Sequence, residues 1–573
     1  MRPPRLRLPA ALLLSGACLL SYANGLTGAF AYDDKAIVRD NFRLRAPERV
    51  LELFTTQYFG GRPGTGTAYR PVLLLSYALQ WWAFGGGVVQ YHVVNVLLHV
   101  AATLLLAALL LRVGLPPPAS FAAALLFAVL PIHVEAVASV VGRGETLSAA
   151  LLLGALLLAL RAAERGRGRV LRTGLALLLY ALACLTKEGA AVGPALLVLL
   201  LVFRGEGPLG RRLAAAIRAG LPFLAGAAAV LWGIFRVRAA VLGGAFGAAS
   251  TGIFELENPL APMRPGPRAA NACAVLLRYL GRMALPLRLS ADESAWSIAR
   301  LSPRDALFWA APALVLALTV ASLARLPRRS PSALGFLFLG VSFLPTANLL
   351  FPTGTVFGER LAYLPSAGFC VIAGAWIAGG RDALPPRRAA ALAGIAFAFA
   401  ARTLVRNPVW AGDEPLFTNL VRVSPDSAKA HYDFAYMSAD VGRPRLALQH
   451  YARATEIYPG YWDAWAGKGR MERLLGNLDA AERSYARSLE IVSTYENGFF
   501  GLGLVREDRG DRSGAVEIYR RGLRHNPQSL PLAYRMALML SAERRGNALF
   551  ASRRALAIEP GSLPARLGFA DWL

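Results

Sequence analysis

Long apolar stretches without charged residues recur through the first 404 residues, and they constrain the fold of this chain more than any other feature. The first of them, residues 8–32, exceeds the roughly 20 residues that a helix needs to cross the hydrocarbon of a bilayer. Of all 573 residues, 55% are hydrophobic and 17% are charged, whereas a soluble domain carries roughly a quarter charged residues. The sequence excludes a purely soluble protein and predicts an all-α, polytopic membrane helix bundle.

The arginines between the apolar stretches predict how many of them cross the membrane. The first 404 residues contain thirteen apolar stretches. If all of them crossed, the arginine-rich loops 161–172 and 204–218 would lie outside while the N-terminus lay inside, against the positive-inside rule. Two stretches are the best candidates to stay out of the bilayer. The stretch 71–86 is short and runs into Gly85-Gly86-Gly87, and the pattern of residues 269–287 predicts an amphipathic surface helix with two arginines on one face. We therefore predict about eleven transmembrane helices, with the C-terminus outside.

The N-terminal stretch has a second interpretation. Three arginines precede it, and Ala29-Phe30-Ala31 has the small residues of a signal-peptidase site, so a cleaved signal peptide is the alternative. The stretch is long for the apolar region of a signal peptide, and we expect a retained first helix with the arginines inside.

Composition argues against two other classes of protein. The net charge of +26 comes mostly from short arginine clusters between apolar runs, which is typical of cytoplasmic loops rather than of a nucleic-acid-binding surface. The four cysteines show neither CxxC spacing nor a neighbouring histidine cluster. We expect no nucleic-acid partner, no zinc site and no disulfide framework.

The C-terminal part repeats with a period of 34 residues. Small residues, an aromatic residue four positions later and a helix-ending proline are typical of tetratricopeptide (TPR) repeats. A fourth, weaker copy runs from Leu530, with Ala548 and Pro560. The recurring residues are Ala447, Ala481 and Ala515, then Tyr451, Tyr485 and Tyr519, with Gly469 and Gly503, and Pro459 and Pro527 at twice the period.

These patterns predict three regions. Residues 1–404 form the membrane domain, residues 405–426 a linker, and residues 427–573 a TPR domain of three to four repeats. A TPR array presents a concave groove that binds extended peptide, and a rigid lid or spacer is the alternative.

Two adjacent acids, Asp33 and Asp34, follow the first apolar stretch on the predicted outer face. An acidic pair is common at a membrane boundary simply because water is there. Adjacent side chains point in different directions, so the two cannot play the same role. One of them is a candidate general base, and the other would hold the acceptor or the base.

Further polar residues stand at the edges of apolar stretches. His92, Asn95 and His99 form one helical stripe, which either lines a cavity or cross-links helices. His133 and Glu135 have the chemistry of metal ligands, but no third ligand has a defined spacing, so we predict no metal.

Two charged pairs suggest recognition of a phosphate. Lys187-Glu188 ends one apolar stretch, and Glu359-Arg360 begins another. Lysine binds phosphate as a point charge, and arginine binds it through two parallel donors. A structural ion pair is the alternative for Lys187.

An ordered series of short motifs spans almost the whole chain. The motifs are Tyr32-Asp33-Asp34, Tyr69-Arg70-Pro71, Tyr91-His92 with Asn95 and His99, residues 130–137, residues 141–145, Lys187-Glu188, residues 343–349, residues 358–366, and Arg406-Asn407 with Trp410, Glu414 and Leu416-Phe417. In this order the chain resembles the transmembrane-and-TPR O-mannosyltransferase (TMTC) family of the GT-C glycosyltransferases, as a bacterial-type member.

The resemblance implies an enzyme that moves a sugar, typically mannose, from a polyprenyl-phosphate carrier to a Ser or Thr hydroxyl on the outer side of a membrane. By analogy the acid after the first helix is the base, and Asp33 matches the first acid of the GT-C pair. This chain has fewer repeats than the larger animal members of the family, so its acceptor need not be theirs.

We therefore hypothesise an inverting transfer that needs no metal and no cofactor. Asp33 removes the acceptor proton, and Asp34 positions the acceptor or the base. We expect a protein or peptide acceptor, in contact with the TPR groove, and a location in the bacterial inner membrane with the TPR domain in the periplasm, or in the ER membrane with a lumenal TPR domain. The cations predicted at the lipid phosphate are Arg360, Lys187, Arg143 and Arg70. The side chains predicted in the substrate cavity are His92, Asn95, His99, His133, Glu135, Glu145, Glu188 and Glu359.

Three alternatives remain at this stage. A membrane-anchored TPR scaffold without catalysis leaves the charged residues near the bilayer unexplained, because such residues are costly there. A lipid or polysaccharide transporter predicts symmetry between two halves, which the sequence does not show. The third keeps the chemistry and makes the acceptor an envelope glycolipid.

Overall fold

A computed structural model describes residues 6–60, 68–164, 166, 168–243, 255–294, 298, 300–380 and 383–541 of the chain. Its contacts divide the chain into two compact units, residues 1–423 and residues 424–573. The predicted all-α fold is confirmed. The described residues form helices and no strand, apart from one isolated bridge between Glu293 and Phe357.

Unit 1, residues 1–423, is a bundle of helices joined by short 3-10 turns and loops. Its α-helices in the described ranges are α1 Leu8–Tyr22, α2 Glu52–Thr55, α3 Pro71–Phe84, α4 Val88–Val113, α5 Pro117–Val129, α6 Val134–Ala138, α7 Arg143–Ala163, α8 Arg169–Thr186, α9 Gly193–Arg204, α10 Leu209–Leu242, α11 Pro265–Ala284, α12 Ala306–Arg325, α13 Pro331–Phe343, α14 Pro365–Ala378, α15 Pro386–Arg406 and α16 Asp413–Val423.

Seven helical segments of the described chain are long and apolar enough to cross a membrane, judged by length and composition alone. The number rises to eight if α5 and α6, which meet at a bend of 48°, form one span. The two stretches that we predict to stay out of the bilayer are not among them. Helix α3 is short, and α11 directs Arg278 and Arg282 at the same carboxylate, that of Glu293. The exact number of crossings stays a prediction.

The first apolar stretch forms a shorter helix than its composition suggests. Helix α1 ends at Tyr22, ten residues before the apolar run does, and a 3-10 turn at Ala23–Gly25 follows. The turn is held in place because the side-chain amide of Asn24 donates to the carbonyl oxygen of Leu404 at 2.8 Å. Leu14 and Cys18 of α1 are buried against the bundle. The remainder of the run is thus a loop, and Asp33 and Asp34 directly after it begin a short helical segment that continues as a π-helix over Lys35–Arg39.

The segment 405–426, which we predict as a linker, is largely helical in the structure. Helix α15 continues to Arg406, a 3-10 turn spans Asn407–Trp410, and α16 follows. The side chain of Asn407 donates to the carbonyl oxygen of Ser21 at 2.8 Å, and Phe417 is buried. The segment up to residue 423 packs into unit 1 because it carries buried aromatic and amide side chains. The sequence does not show this packing, because the segment has no long apolar run.

Unit 2, residues 424–573, consists of paired helices in its described part. The first helices of successive pairs begin at residues 428, 462, 496 and 530, and the second helices begin at residues 444, 478 and 512, so the 34-residue TPR period is confirmed. Of the fourth copy, the first helix is described, while Ala548 and Pro560 lie outside the described residues. The helices are α17 Ala428–Asp440, α18 Pro444–Ile457, α19 Trp462–Leu474, α20 Leu478–Ile491, α21 Glu496–Asp508, α22 Arg512–His525 and α23 Leu530–Ser541.

The repeated small residues are explained by the repeated tyrosines. Ala481 and Ala515 have no exposed surface, and the ring of Tyr519 is equally buried. A Cβ atom on Gly503 would lie 2.1 Å from the ring of Tyr519. Glycine therefore lets α21 approach α22 closely enough for the tyrosine ring to fill the space between them.

We predict that Gly503→Ala loosens this helix pair, because the fully buried ring of Tyr519 has no room to move away. Overpacking of this kind costs about 1–3 kcal/mol, so amide hydrogen exchange in residues 496–525 should become at least about fivefold faster. The matched control is Arg483→Ala, at an exposed position on α20. Unchanged exchange in the glycine variant would show that the tyrosine does not fill this gap.

Candidate functional site

The carboxylate of Asp34 is buried and is held by hydrogen bonds on both of its oxygens. The side chain is 1% exposed, and its two oxygens accept hydrogen bonds from three backbone N–H groups and one hydroxyl. Burial raises the pKa of Asp34 to about 7, although these N–H groups favour the charged form. Asp34 thereby ties its own loop to the loop before α7. The donors are Ala31 at 3.2 Å, Val140 at 3.3 Å, Val141 at 2.8 Å and the hydroxyl of Ser139 at 3.2 Å.

Asp33, its neighbour, is half-buried and has a different environment. Among the residues that the structure describes, no hydrogen bond or ion pair holds its carboxylate. The negative charge of Asp33 acts on Arg360. Burial acts to lower the pKa of Arg360, but the negative charges of Glu135 and Asp33 outweigh burial and raise it. Burial also raises the pKa of Tyr58, and the charge of Asp33 adds to this effect. A carboxylate without a partner, close to a cation, is available to accept a proton.

Arg360 lies in the 3-10 turn Glu359–Ala362 and is held by Glu135 of α6. Its Nη1 lies 3.2 Å from Glu135 Oε1, and its backbone N–H donates to Glu135 Oε2 at 2.8 Å. The side chain of Arg360 remains 33% exposed, whereas that of Glu135 is 2% exposed. The carboxylate therefore fixes the direction of the guanidinium and leaves part of it open to a ligand.

Two further cations, Lys187 and Arg70, belong to the same cluster. Lys187 forms an ion pair with Glu145 of α7. Burial lowers the pKa of Lys187, Glu145 opposes this, and the positive charges of Arg70 and Arg360 lower it further. The three cations therefore lie close enough for the charges of Arg70 and Arg360 to act on Lys187.

Glu188 joins two arginines at the edge of this cluster. It accepts from Arg70 Nη2 at 3.1 Å and from Arg238 Nη1 at 3.3 Å. Burial acts to raise the pKa of Glu188, but the two arginines outweigh it and lower the value to about 2. The carbon of the Arg70 guanidinium also lies 5.3 Å from the centre of the Tyr58 ring. Arg70 is thereby fixed on two sides.

The loop before Arg360 is organised by an asparagine pair and a tyrosine. Asn348 has a φ of +58°, and its side-chain oxygen accepts from Asn258 Nδ2 and from the backbone N–H of Thr353, both at 2.8 Å. The hydroxyl of Tyr279 on α11 donates to the carbonyl oxygen of Gly358 at 2.9 Å and accepts from the N–H of the same residue. Both contacts fix the backbone that presents Arg360.

Arg143 lies in a closed environment, away from any ligand surface. It is 1% exposed, and its guanidinium lies between the rings of Tyr77 and Tyr91, at 4.7 and 5.3 Å from their centres. Nε donates to Asn95 Oδ1 at 2.9 Å, and Nη2 donates to Gln80 Oε1 at 2.6 Å. These contacts occupy the donors that a phosphate would need, so the structure gives Arg143 and Asn95 a role in joining α3, α4 and α7.

The predicted histidines lie in the core of unit 1. His99 bonds to the hydroxyl of Tyr363 at 2.7 Å, and His133 bonds to the hydroxyl of Ser366 at 2.6 Å. The His133 ring lies 4.6 Å from that of Tyr363, centre to centre. His92 is buried beside Gly28. Of the two interpretations of this stripe, the structure supports cross-linking of helices for His99.

Glu359 and Arg406 form a separate, fully buried pair. Glu359 is 1% exposed, and its Oε1 lies 3.6 Å from Arg406 Nη2. Nη1 of Arg406 donates to Asn419 Oδ1 at 2.6 Å. Burial raises the pKa of Glu359 to about 8, against the attraction of Arg406. Glu359 thus connects the turn that carries Arg360 with the end of α15.

The structure brings together part of the predicted site and separates the rest. Arg143, Asn95, His99 and His133 are committed to internal contacts. In the part of the chain that the structure describes, no three His, Cys, Asp or Glu side chains are grouped so as to hold a metal ion. The residues that form one cluster are Asp33, Arg360, Glu135, Lys187, Glu145, Arg70 and Glu188.

Sequence reasoning missed two residues that contact this cluster, Arg238 and Tyr58. Arg238 stands near the end of α10, and its partner is 50 residues away. Tyr58 lies in a loop, and the neighbouring sequence does not distinguish it from the other tyrosines of the chain. Pairing over such distances is a property of the fold, and no pattern in the neighbouring sequence shows it.

We predict that Arg143→Ala destabilises unit 1 by at least about 2–3 kcal/mol, because it leaves buried amide and carbonyl oxygens unpaired and opens a cavity between two rings. Chemical unfolding of the purified chain in detergent measures this loss. Arg211→Ala, at an exposed position of α10, serves as the control and should stay within about 0.5 kcal/mol of the wild type. Equal stability of the two variants would contradict the structural role of Arg143.

We also predict a pH dependence of stability from Glu359. Its pKa is about 8 in the folded chain and 4.5 for an ordinary glutamate, as in the unfolded chain. The folded state therefore binds the proton more tightly than the unfolded state does. Protonation of Glu359 therefore stabilises the folded state. The stabilisation is complete below the pKa of the unfolded state and is lost as the pH rises through about 8. The unfolding temperature should therefore fall from pH 5 to pH 9, and Glu359→Gln should make that slope shallower. The exposed Glu48→Gln should leave the slope unchanged, and identical slopes for both variants would exclude Glu359 as its source.

Comparison with known proteins supplies relatives but no family model. No family model matches the chain. It is 29% identical over 518 residues to the human protein O-mannosyl-transferase TMTC1, covering 81% of this chain and 57% of that protein. It is 29% identical over 508 residues to mouse TMTC4, covering 77% and 66%. For F38B6.6, a protein O-mannosyl-transferase of Caenorhabditis elegans, the identity is 27% over 461 residues, covering 78% and 63%.

Solved structures match the chain only weakly. The crystal structure of the MamA protein covers 25% of this chain and 79% of its own, at 18% identity and a TM-score of 0.23. That of the TPR protein YrrB covers 27% and 81%, at 19% identity and a TM-score of 0.24.

The chain thus spans less than two thirds of the length of the curated relatives named here. The resemblance that its motifs predict is confirmed: the chain is similar in sequence to proteins named TMTC protein O-mannosyl-transferases.

Proposed function

We propose that unit 1 is a glycosyltransferase that moves a sugar, most simply mannose, from a polyprenyl-phosphate carrier to the hydroxyl of a Ser or Thr residue. The names of the relatives support sugar transfer to protein. The observation that carries the proposal is the environment of Asp33, a carboxylate that no described residue binds and that lies close to Arg360.

Asp33 is the proposed general base. In the transfer, the acceptor oxygen attacks the anomeric carbon, its proton passes to the Asp33 carboxylate, and the bond between that carbon and the phosphate oxygen breaks with inversion. The bonding electrons leave with the phosphate. A positioned base of this kind accelerates a reaction by roughly 10²–10⁴.

The proposed phosphate site consists of Arg360, Lys187 and Arg70. Each cation is already oriented by its own carboxylate, so little rearrangement is needed when negative charge develops on the leaving phosphate. These cations supply the charge that a metal ion would supply elsewhere, and we therefore propose a transfer that needs no metal. Arg143, whose donors are occupied, is left out of this site, and Arg238 is added through its contact with Glu188.

Asp34 acts in this proposal as an anchor for the loop of Asp33. Its oxygens accept hydrogen bonds from Ala31, near Asp34 in the chain, and from Val141, in the loop before α7. These oxygens are therefore not open to an acceptor hydroxyl. The sequence predicts that Asp34 positions the acceptor or the base. In this proposal it positions the base, Asp33, by fixing the backbone next to it.

We propose that the acceptor reaches Asp33 from the extracytoplasmic side and that the TPR array of unit 2 binds the acceptor polypeptide. In a bacterium this places the array in the periplasm, with the protein in the inner membrane, and in a eukaryote in the ER lumen. Reporter fusions after residues 33 and 430 test the side directly. Opposite sides for the two positions would contradict the proposal.

We predict that Asp33→Asn lowers the transfer rate by about 10²–10⁴, because the amide cannot accept the proton. The assay uses the purified chain with radiolabelled polyprenyl-phosphate mannose and a Ser/Thr-rich peptide, with and without a chelator. Asp40→Asn is the matched control, since Asp40 lies at the end of the short helical segment that Asp33 begins, is exposed, and pairs with Arg39 at 2.8 Å. It should retain wild-type activity.

The other outcomes separate the alternatives. Full activity of a folded Asp33→Asn variant would remove Asp33 as the base, and inhibition by the chelator would contradict transfer without a metal. Labelling of an added envelope glycolipid instead of the peptide would change the acceptor. No transfer from any lipid-linked sugar would favour the non-catalytic scaffold.

A further inference from the structure

The residue directly before Asp33 has an uncommon backbone conformation. Tyr32 has a φ of +52°, in the left-handed region that few residues other than glycine adopt. For a bulky aromatic residue this conformation is unfavourable, and it persists only where surrounding contacts impose it. The contacts that impose it here therefore also determine where the Asp33 side chain begins.

One carboxylate holds the chain on both sides of Asp33. Asp413, the first residue of α16, accepts the backbone N–H of Tyr32 on Oδ1 at 2.8 Å. Its Oδ2 forms an ion pair with Nζ of Lys35. The side chain of Asp413 is only 19% exposed, so water competes little for these contacts. The ion pair also compensates the charge that Asp413 brings to this loop.

Neighbouring contacts strengthen the same junction. The backbone N–H of Ala29 donates to the carbonyl oxygen of Ala411 at 2.9 Å. The ring of Tyr32 meets that of Phe417 edge to face, with centres 5.7 Å apart. Residues 29–35 are thereby bound to residues 411–417, while Asp34 binds the loop before α7. Of the charged side chains in this segment, that of Asp33 is the one that no described residue holds by a hydrogen bond or an ion pair.

We propose that Asp413 is a positioning residue: by holding Tyr32 in its left-handed conformation, it sets the direction of the Asp33 carboxylate. This inference rests on the proposed function for its effect on catalysis, and on the structure alone for its effect on the loop. Asp413 touches neither the donor nor the acceptor in this proposal. It acts on the rate of transfer and leaves the phosphate-binding cations in place.

Two variants separate the two contacts of Asp413. Asp413→Ala removes both, and Asp413→Asn keeps an oxygen for the N–H of Tyr32 while it removes the charge facing Lys35. We expect kcat to fall by about 10- to 100-fold in Asp413→Ala, because a displacement of the base by about 1 Å has an effect of this size. We expect KM for the lipid-linked donor to stay within about twofold, and Asp413→Asn and Lys35→Met to stay within about threefold of wild-type kcat.

The second measurement is amide hydrogen exchange in residues 29–36, which needs no activity. Exchange should become at least about tenfold faster in Asp413→Ala and remain near the wild-type rate in Asp413→Asn. Asp40→Ala, at an exposed position at the end of the same short helical segment, is the control for both measurements.

The results distinguish this inference from the proposed function. If the wild type transfers no sugar, the proposed function fails, and the exchange rates still decide whether Asp413 holds the loop. Unchanged exchange in Asp413→Ala would overturn the inference, and so would faster exchange with an unchanged kcat. An Asp413→Asn variant that exchanges and reacts like Asp413→Ala would show that the hydrogen bond to Tyr32 is not what positions the base.

Discussion

The pairing of three cations, Arg360, Lys187 and Arg70, with carboxylates is the interaction on which the site in unit 1 depends. An unpaired charge inside an apolar bundle is costly, and Arg360, Lys187 and Arg70 each have an acidic partner on a different segment of the chain. Their partners come from α6, α7 and the turn after α8, so the same ion pairs that remove the cost of burial also bring these elements to one place. The site is therefore part of what holds the bundle together.

The adjacent acids Asp33 and Asp34 show how a chain can separate a structural role, that of Asp34, from the chemical role that we propose for Asp33. Neighbouring side chains point in different directions, and here one of them enters a set of backbone donors while the other remains without a partner among the described residues. The anchored acid and Asp413 hold the backbone on both sides. A free carboxylate is thus kept in one position without being consumed by the contacts that keep it there.

The sequence predicts the fold class, the repeats and the polar residues, because these depend on periodicity and on local composition. It does not predict which of these residues meet. Arg143 and Arg360 look alike in sequence, each beside a glutamate or two residues from one, yet Arg143 is enclosed by Tyr77 and Tyr91 and Arg360 is partly open. The end of α1 at Tyr22 and the helical path of residues 405–423 also depend on tertiary contacts, which no local pattern records.

The pre-paired cations suit a leaving phosphate better than a resting one. A phosphodiester carries one negative charge, and the monoester that departs approaches two, so in the proposed site the interactions with Arg360 and Lys187 would strengthen as the bond to the sugar breaks. Cations fixed beforehand by Glu135 and Glu145 need little reorganisation at that moment. Each carboxylate also weakens the attraction of its cation for the resting diester. In the transfer that we propose, the ion pairs therefore favour the transition state over the bound donor, which is the condition for catalysis.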